Sequence, residues 1–426
     1  METFVIEGGR PLSGTIRASG NKNGALPILA ATILASEPVT LGNVPHIADV
    51  LTMTEILADI GATVEWADAN TVRVDAANVT KTTLDPLLCR RIRASFLLAG
   101  PLLARFGHAM IPPPGGDVIG RRRLDTHIHA FEALGATTTL NGGYELHAER
   151  LRGTRMFLDE ASVMGTENAI MAAVLAEGDT VIGHAACEPH VVDLCQFLVS
   201  LGAGIDGIGS NLLRITGVAQ LSGGRHTIRS EHVEVASFAA LAAVTGGDLT
   251  IEAVEPDDFI SIVPAFRKLG IELEAGEHTL RVRAGQALQV VDDLGGQIPK
   301  IESGIWPAFP ADLTSIALTA ATQATGTILI FEKMFESRLF FVDKLVGMGA
   351  KIVLCDPHRA VVAGPSQLYG ERMESPDIRA GMAMVIAALC AEGRSTIGNV
   401  RQIDRGYERI DERLRALGAS IERGQA

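Results

Sequence analysis

The tripeptide Leu-Gly-Ala, or a close variant, recurs six times just before a short strand-like stretch. The copies "DIGATVEW", "ALGATTTL", "SLGAGIDG", "KLGIELEA", "GMGAKIVL" and "ALGASIER" put the glycine at Gly61, Gly135, Gly202, Gly270, Gly349 and Gly418. Successive glycines lie 74, 67, 68, 79 and 69 residues apart. Each follows an amphipathic helical pattern, as in "YERIDERLRALGA", where Ile410, Leu414 and Leu417 share one face. A glycine there reads as the helix C-cap. A second series runs in phase with the first. Six Ala-rich stretches, apolar nearly all round, begin near Ala25, Ala94, Thr166, Val235, Leu313 and Ala380. A helix apolar on every face is a buried helix. Each repeat therefore reads as apolar helix, strand, amphipathic helix, glycine cap, then one or two strands, a unit that buries its face only against its neighbours.

Six such repeats predict an α/β fold of βαβαββ-like units, three in each of two domains, with the seam near Glu231. A chain of 426 residues exceeds what one core holds, so two domains of roughly 200 residues are expected. Ligands are expected in the cleft between such domains. Hydrophobic residues make up 47% and aromatics only 4%, which implies an aliphatic, alanine-rich core. The formal charge of −13 argues against nucleic acid or an anionic membrane as partner. Nothing in the sequence points to an obligate protein partner. The five cysteines are scattered, form no CxxC pair, and read as reduced thiols in a cytoplasmic protein. "METFVIEGG" reads as a strand rather than a signal peptide, and no apolar run reaches the 18 or so residues of a membrane span. Both series show one long step across residues 271–312. It marks an insertion, "GGQIPKIESGIWPAFPAD", ending at Asp312, and an extra loop in one repeat is where function tends to be added.

The start of the amphipathic helix is where the repeats disagree. A helix N-terminus favours acidic residues and disfavours basic ones. Units one, three and four comply with Asp49, Glu188, Asp257 and Asp258, whereas units two, five and six place Arg122, Arg338 and Arg405 there. Three arginines at matched, unfavourable positions in an acidic protein imply an anion among them. The apolar helices add Lys22 and Asn23 at the first start, Arg93 at the second, Ser162 near the third and Arg379 at the sixth. Backbone N–H groups at a helix start, with a cation beside them, suit phosphate or carboxylate. Locally, Ser162 also reads as a plain N-cap, and Arg379 as an ion-pair partner of nearby Asp377. His127, His129, His184 and His190 show no zinc spacing, and "GGDVIG" lacks the Lys-Ser/Thr of a nucleotide-binding P-loop.

"SGNKNGALPI", "RASFLLAGPLLARFG", "PGGDVIGRRRLDTHI", "ASVMGT", "PAFPADLTSIAL", "FESRLFFVDKL" and "IDRGYERIDERLRALGA" together resemble the UDP-N-acetylglucosamine 1-carboxyvinyltransferases, in that family's order and over the whole chain. The resemblance implies two inside-out α/β barrel domains. These are residues 22–231, which carry the Asp117 loop, and residues 1–21 with 232–426. It implies transfer of the enolpyruvyl group of phosphoenolpyruvate to the 3'-hydroxyl of UDP-N-acetylglucosamine, with loss of phosphate, at the committed entry to peptidoglycan. No metal or organic cofactor is implied. Carried over by motif, Lys22, Arg122 and Arg405 hold the substrate phosphate, and Arg338 and Arg379 its carboxylate. Asn23, Arg93, Ser162, Val163 and Met164, the run Arg122, Arg123, Leu124, Asp125 and Thr126, and Met334 contact substrate, mainly the nucleotide sugar. Asp312 takes the hydroxyl proton, and Asp117, with Lys22 and Arg405, completes the catalytic set. Two alternatives use the same residues: transfer to another nucleotide such as UMP, and a silent paralogue that only senses UDP-sugars. A sensor has little use for an acid and a base together.

The chain departs from the family in three places. Arg123 stands where proline is usual, "ASVMGTEN" differs from "SVGAT", and Asp117 replaces the common loop cysteine. A thiol with a pKa of about 8.5 is protonated at neutrality, whereas a free aspartate ionises near 3.9. Keeping Asp117 protonated at pH 7 requires a shift of about three units, roughly 4 kcal/mol, from burial or an adjacent dianion. The expected outcomes are insensitivity to the epoxide fosfomycin, which alkylates that cysteine, and an activity optimum at lower pH than in an Asp117→Cys variant. Normal inhibition at low drug concentration would refute the insensitivity, and superimposable pH profiles would count against Asp117 as the acid.

Overall fold

The computed structural model describes residues 2–116, 119–120 and 122–425. All six repeat glycines have positive φ, from 75° at Gly270 to 111° at Gly61. Each helix before them ends the same way. The N–H of the residue after the glycine reaches the carbonyl five positions back, as in Ala62 to Leu57 (3.0 Å), Ala136 to Phe131 (3.0 Å) and Ala350 to Leu345 (2.9 Å). The remaining three are Ala203 to Leu198, Ile271 to Phe266 and Ala419 to Leu414. This six-to-one hydrogen bond satisfies a carbonyl that the helix leaves orphaned and turns the chain into the following strand.

The described residues form six small mixed sheets, five of four strands and one of three. In the sheet Arg155–Phe157, Asp179–Gly183, Leu212–Thr216 and Gly204–Asp206, the first pair is parallel and the other two pairings are antiparallel. The same arrangement recurs in the sheets built on Val39–Gly42, Leu249–Glu252 and Gly326–Phe331. In the three-stranded sheet of His108–Ile111, Tyr144–His147 and Thr137–Leu140, the parallel strand is reduced to a single bridge, Thr83 to Met110. The last sheet needs the other end of the chain. Glu2–Glu7 lies antiparallel between Arg394–Gly398 and Ser420–Gln425 and supplies the strand its repeat lacks.

By contacts, the described residues divide into one unit of 2–19, 119–120 and 230–425 and another of 20–116 and 122–229. Each has its own aliphatic core. Three apolar helices meet in each: His232–Thr245, Thr314–Ala321 and Ile378–Cys390 in the first; Lys22–Ala31, Val163–Ala173, and Arg93–Leu98 continuing into Ala99–Phe106 in the second. Small residues let them approach closely. A Cβ on Gly100 would lie 2.7 Å from the Asn168 carbonyl oxygen.

The insertion is narrower than the sequence implies. Lys300–Glu302 is the ordinary parallel strand of its sheet, so the extra chain is a turn bridged at Asp293 and Gln297 and the loop from Ser303 to Pro310. Among the described residues, no helix is long and apolar enough to cross a membrane.

The capping glycines give a graded prediction. At Gly202 (φ +106°) no atom lies near an added Cβ, so Gly202→Ala should cost only the left-handed strain, about 1–2 kcal/mol in urea unfolding. At Gly61 the Cβ would lie 2.6 Å from the Asn78 carbonyl oxygen, and Gly61→Ala should lower the midpoint further. Equal losses at the two sites would contradict this.

Candidate functional site

The arginines singled out by the repeats do not stand in the first turns of the amphipathic helices. Arg122 precedes the helix Asp125–Ala133, Arg338 lies in the turn before Val342–Gly347, and Arg405 ends the 3₁₀ turn Val400–Arg405 before Ile410–Ala416. Those helices carry Asp125, Asp343, and Asp411 with Glu412 in their first turns, so their macrodipoles are matched normally. The expectation of basic helix starts is therefore corrected, because the irregular chain ahead of each helix is longer than glycine spacing reveals.

In the unit of residues 20–116 and 122–229, Lys22 opens the first buried helix behind the N-cap Asn21, whose side chain accepts from the Gly24 N–H (3.0 Å). Its ammonium lies 2.8 Å from Asp49 Oδ2, with both side chains buried. A buried ammonium at a positive helix end needs such a carboxylate. Asn23 follows it in the same turn. Arg93 opens the second buried segment, and its Nη2 donates to the carbonyls of Arg122 (3.0 Å) and Arg123 (3.1 Å), anchoring that loop. Burial, reinforced by the Arg122 cation, pushes the Arg93 guanidinium down to about 10. Arg123 spans Asp125 (3.1 Å) and Asp159 (3.2 Å), and the Thr126 hydroxyl donates to Asp159 Oδ1 (2.7 Å). Hydrogen bonding from Thr126, helped by Arg123, holds the Asp159 carboxyl low. Leu124 is buried as the N-cap residue of its helix. Ser162 caps the third helix, accepting from the Gly165 N–H (3.2 Å), with Val163 and Met164 half-buried after it. Asp159 thus ties the loop 122–126 to the approach to Ser162. Sequence reasoning missed it, and its only signal is one more acidic residue in a polar turn.

In the other unit, Asp312 lies in the 3₁₀ turn opening the helix Thr314–Ala321. Its Oδ1 accepts from Arg338 Nη2 (2.8 Å) and its Oδ2 from Arg379 Nε (3.1 Å). Arg338 and Arg379 are only 3% and 4% exposed, and Arg338 Nε and Arg379 Nη1 have no hydrogen-bond partner among the described residues. Burial alone would weaken Arg379 as a cation, but Asp312, Tyr407 and Glu231 raise it above the ordinary guanidinium value. The predicted pairing of Arg379 with Asp377 does not form. Asp377 is the N-cap, accepting from the N–H groups of Arg379 and Ala380, while the guanidinium turns to Asp312. Glu231 caps His232–Thr245 and lies 3.9 Å from Arg379; burial pushes its carboxyl up. Arg405 Nη1 donates to Gln402 (2.9 Å), and Met334 is exposed. Asp117, the expected loop acid, lies outside the described residues. No metal-binding cluster of His, Cys, Asp and Glu occurs among the described residues.

Residues 6–414 match the EPSP synthase (3-phosphoshikimate 1-carboxyvinyltransferase) family, and the chain belongs to that family of carboxyvinyl transferases. The fold agrees. The enolpyruvyl transferase NikO from Streptomyces tendae superposes with a TM-score of 0.89 at 25% identity, covering 100% of this chain and 99% of that one. EPSP synthase from Acinetobacter baumannii shares the fold at 19% identity, with a TM-score of 0.76 over the full length of both. Within the family, the sequence lies with the UDP-N-acetylglucosamine 1-carboxyvinyltransferases. It is 57% identical over 420 residues to that of Bradyrhizobium diazoefficiens (99% of this chain, 97% of the relative) and 55% identical over 422 residues to that of Treponema denticola (99% of each).

The buried network behind Arg93 gives a pH prediction. His127 Nδ1 faces Asn168 Nδ2 at 2.9 Å, and burial together with the Arg93 cation pushes the imidazole down to about 3. The unfolded chain protonates this ring near 6.5 while the folded one does not. Stability from this group is therefore complete above about pH 6.5 and is lost on acidification toward 3, at a slope approaching 1.4 kcal/mol per pH unit. Denaturant titrations of His127→Gln should show a shallower acid decline than the native protein. Parallel curves would refute the assignment.

Proposed function

We propose that this chain transfers the enolpyruvyl group of phosphoenolpyruvate to the 3'-hydroxyl of UDP-N-acetylglucosamine and releases phosphate, the committed step toward peptidoglycan. The observation that carries this reading is the pair of buried guanidiniums around Asp312. Both guanidiniums donate to the Asp312 carboxylate there, and among the described residues each keeps an N–H without a partner. Such a site presents orphan donors on two buried cations, which a substrate carboxylate satisfies. In this reading the architecture is two three-repeat, inside-out α/β barrel domains, residues 22–231 and 1–21 with 232–426. The strand order shared by four of the six sheets supports it. The five free cysteines fit a reducing cytoplasm.

The chemistry is addition followed by elimination. The sugar oxygen bonds to C2 of phosphoenolpyruvate as its proton passes to Asp312 and C3 gains a proton from Asp117. The resulting intermediate is tetrahedral at C2. C3 then returns a proton as the C2–O bond to phosphate breaks, which restores the double bond on the transferred group. Lys22, Arg122 and Arg405 stabilise the phosphate as charge moves onto it, and Arg338 and Arg379 fix the carboxylate. The ion pairs bear on the base. Asp312 held by two arginines is a poor proton acceptor. Asp312 is 30% exposed while both arginines are buried behind it, so an arriving carboxylate competes for their donors and frees Asp312 to take the proton. Arg93, the Arg123–Asp159 link and Thr126 order the loop 122–126 that, with Asn23, Ser162, Val163 and Met164, meets the nucleotide sugar.

Phosphate release from phosphoenolpyruvate, measured with UDP-N-acetylglucosamine, UMP and shikimate 3-phosphate offered separately, should occur with the first alone. Release with UMP would move the acceptor, and release with none would make the chain a sensor. Arg379→Gln should lower kcat/KM for phosphoenolpyruvate by about tenfold to a hundredfold, the worth of one charged hydrogen bond, and leave the KM for the nucleotide sugar nearly unchanged.

A further inference from the structure

Glu332 is a buried carboxylate to which none of these roles has been assigned. It follows the strand Gly326–Phe331 and is 0% exposed. Among the described residues it forms no ion pair, yet both oxygens are occupied. Oε1 accepts from the Ser303 hydroxyl (3.0 Å) and from the backbone N–H groups of Met334 (2.7 Å) and Phe335 (3.2 Å). Oε2 accepts from the Thr314 hydroxyl (2.7 Å). Its own backbone is fixed as well: its N–H donates to the His358 carbonyl (2.8 Å), and its carbonyl meets His358 Nδ1 (2.7 Å).

The partners lie on three separate stretches of chain. Ser303 begins the extra loop, and its hydroxyl also accepts from the Lys333 N–H (2.9 Å). Thr314 opens the helix immediately after the turn that holds Asp312. Met334 and Phe335 lead into the turn of Arg338, whose guanidinium lies over the Phe335 ring at 5.2 Å. Oε1 therefore fixes the Arg338 side and Oε2 the Asp312 side, and the 2.8 Å contact between Asp312 and Arg338 completes the circuit. Only a carboxylate accepts on both oxygens from four donors; glutamine would keep one acceptor and turn an NH2 group either toward the backbone N–H donors or toward a hydroxyl that must reverse to accept from it. Burying a carboxylate is unfavourable without such full satisfaction, and the donors would in turn be orphaned by its loss.

We infer that Glu332 is a positioning residue for the transfer reaction, setting the separation of Asp312 and Arg338 by holding both of their segments from one buried point. This rests on the roles proposed above for those two residues. It acts through them and touches no substrate.

The test compares the intact native enzyme with Glu332→Gln, Thr314→Val and Gly349→Ala. Gly349→Ala strains a helix cap in the same unit and serves as a control for lost stability alone. Glu332→Gln should lower kcat by roughly tenfold to a hundredfold and raise the KM for phosphoenolpyruvate. The KM for UDP-N-acetylglucosamine should stay within about twofold, since most of its proposed contacts lie in the other unit. Gly349→Ala should melt earlier with native constants well below its melting temperature. Unchanged kcat in folded Glu332→Gln, or both KM values rising together, would overturn the inference. If Glu332→Gln does not fold, Thr314→Val removes the Oε2 bond alone and should show the same split to a smaller extent; native kinetics there would be equally fatal. If the native protein releases no phosphate, the proposed function itself fails. The inference is then decided by a crystal structure of Thr314→Val: an Asp312–Arg338 contact still at its native length would reject it.

Discussion

The burial of six helices that are apolar on every side is the constraint on which the structure depends. Helices of this kind have no solvated face, so amphipathic helices and small sheets must surround them, three to each core. Their ends are where their polar groups can meet water. Several of the proposed site residues lie at or just before such ends. Lys22 and Arg93 are first residues, Ser162 is an N-cap, Asp312 lies in the turn before the fifth helix, and Arg379 is the second residue of the sixth.

That placement explains why carboxylates accompany the cations. A helix N-terminus repels a guanidinium or ammonium, and burial makes the conflict worse. The chain offsets it locally with Asp49 beside Lys22, and with Asp312 and Glu231 beside Arg379. Among the described residues Arg93 forms no ion pair with a carboxylate and turns instead to backbone carbonyls, which fits its weakened guanidinium. An anionic substrate entering such a neighbourhood exchanges partners with existing carboxylates rather than meeting bare charge.

Much of this was legible in the sequence because it repeats. Glycine at a left-handed cap leaves a mark no other residue replaces, so all six helix ends were readable from six letters. The starts were not. Arg122, Arg338 and Arg405 stand ahead of their helices because connecting chain varies in length without leaving a pattern. The inserted loop was placed correctly in broad outline, but its strand Lys300–Glu302 belongs to the common framework. Glu332 and Asp159 were not singled out, since an acid that ties separate segments together, buried after a strand in one case and exposed in a turn in the other, looks in sequence like any other acid. The Asp312 pairing was equally hidden, because its partners are 26 and 67 residues away.

The position of the first strand has a bearing on how the molecule is made. Residues 20–229 hold every strand their three sheets require, so that portion can close on itself while the ribosome is still extending the chain. Glu2–Glu7 has no such option. Its neighbours on both sides, Arg394–Gly398 and Ser420–Gln425, are made long after it. Glu2–Glu7 therefore stays without its sheet partners until residues 394–425 have been made, well after residues 20–229 can close.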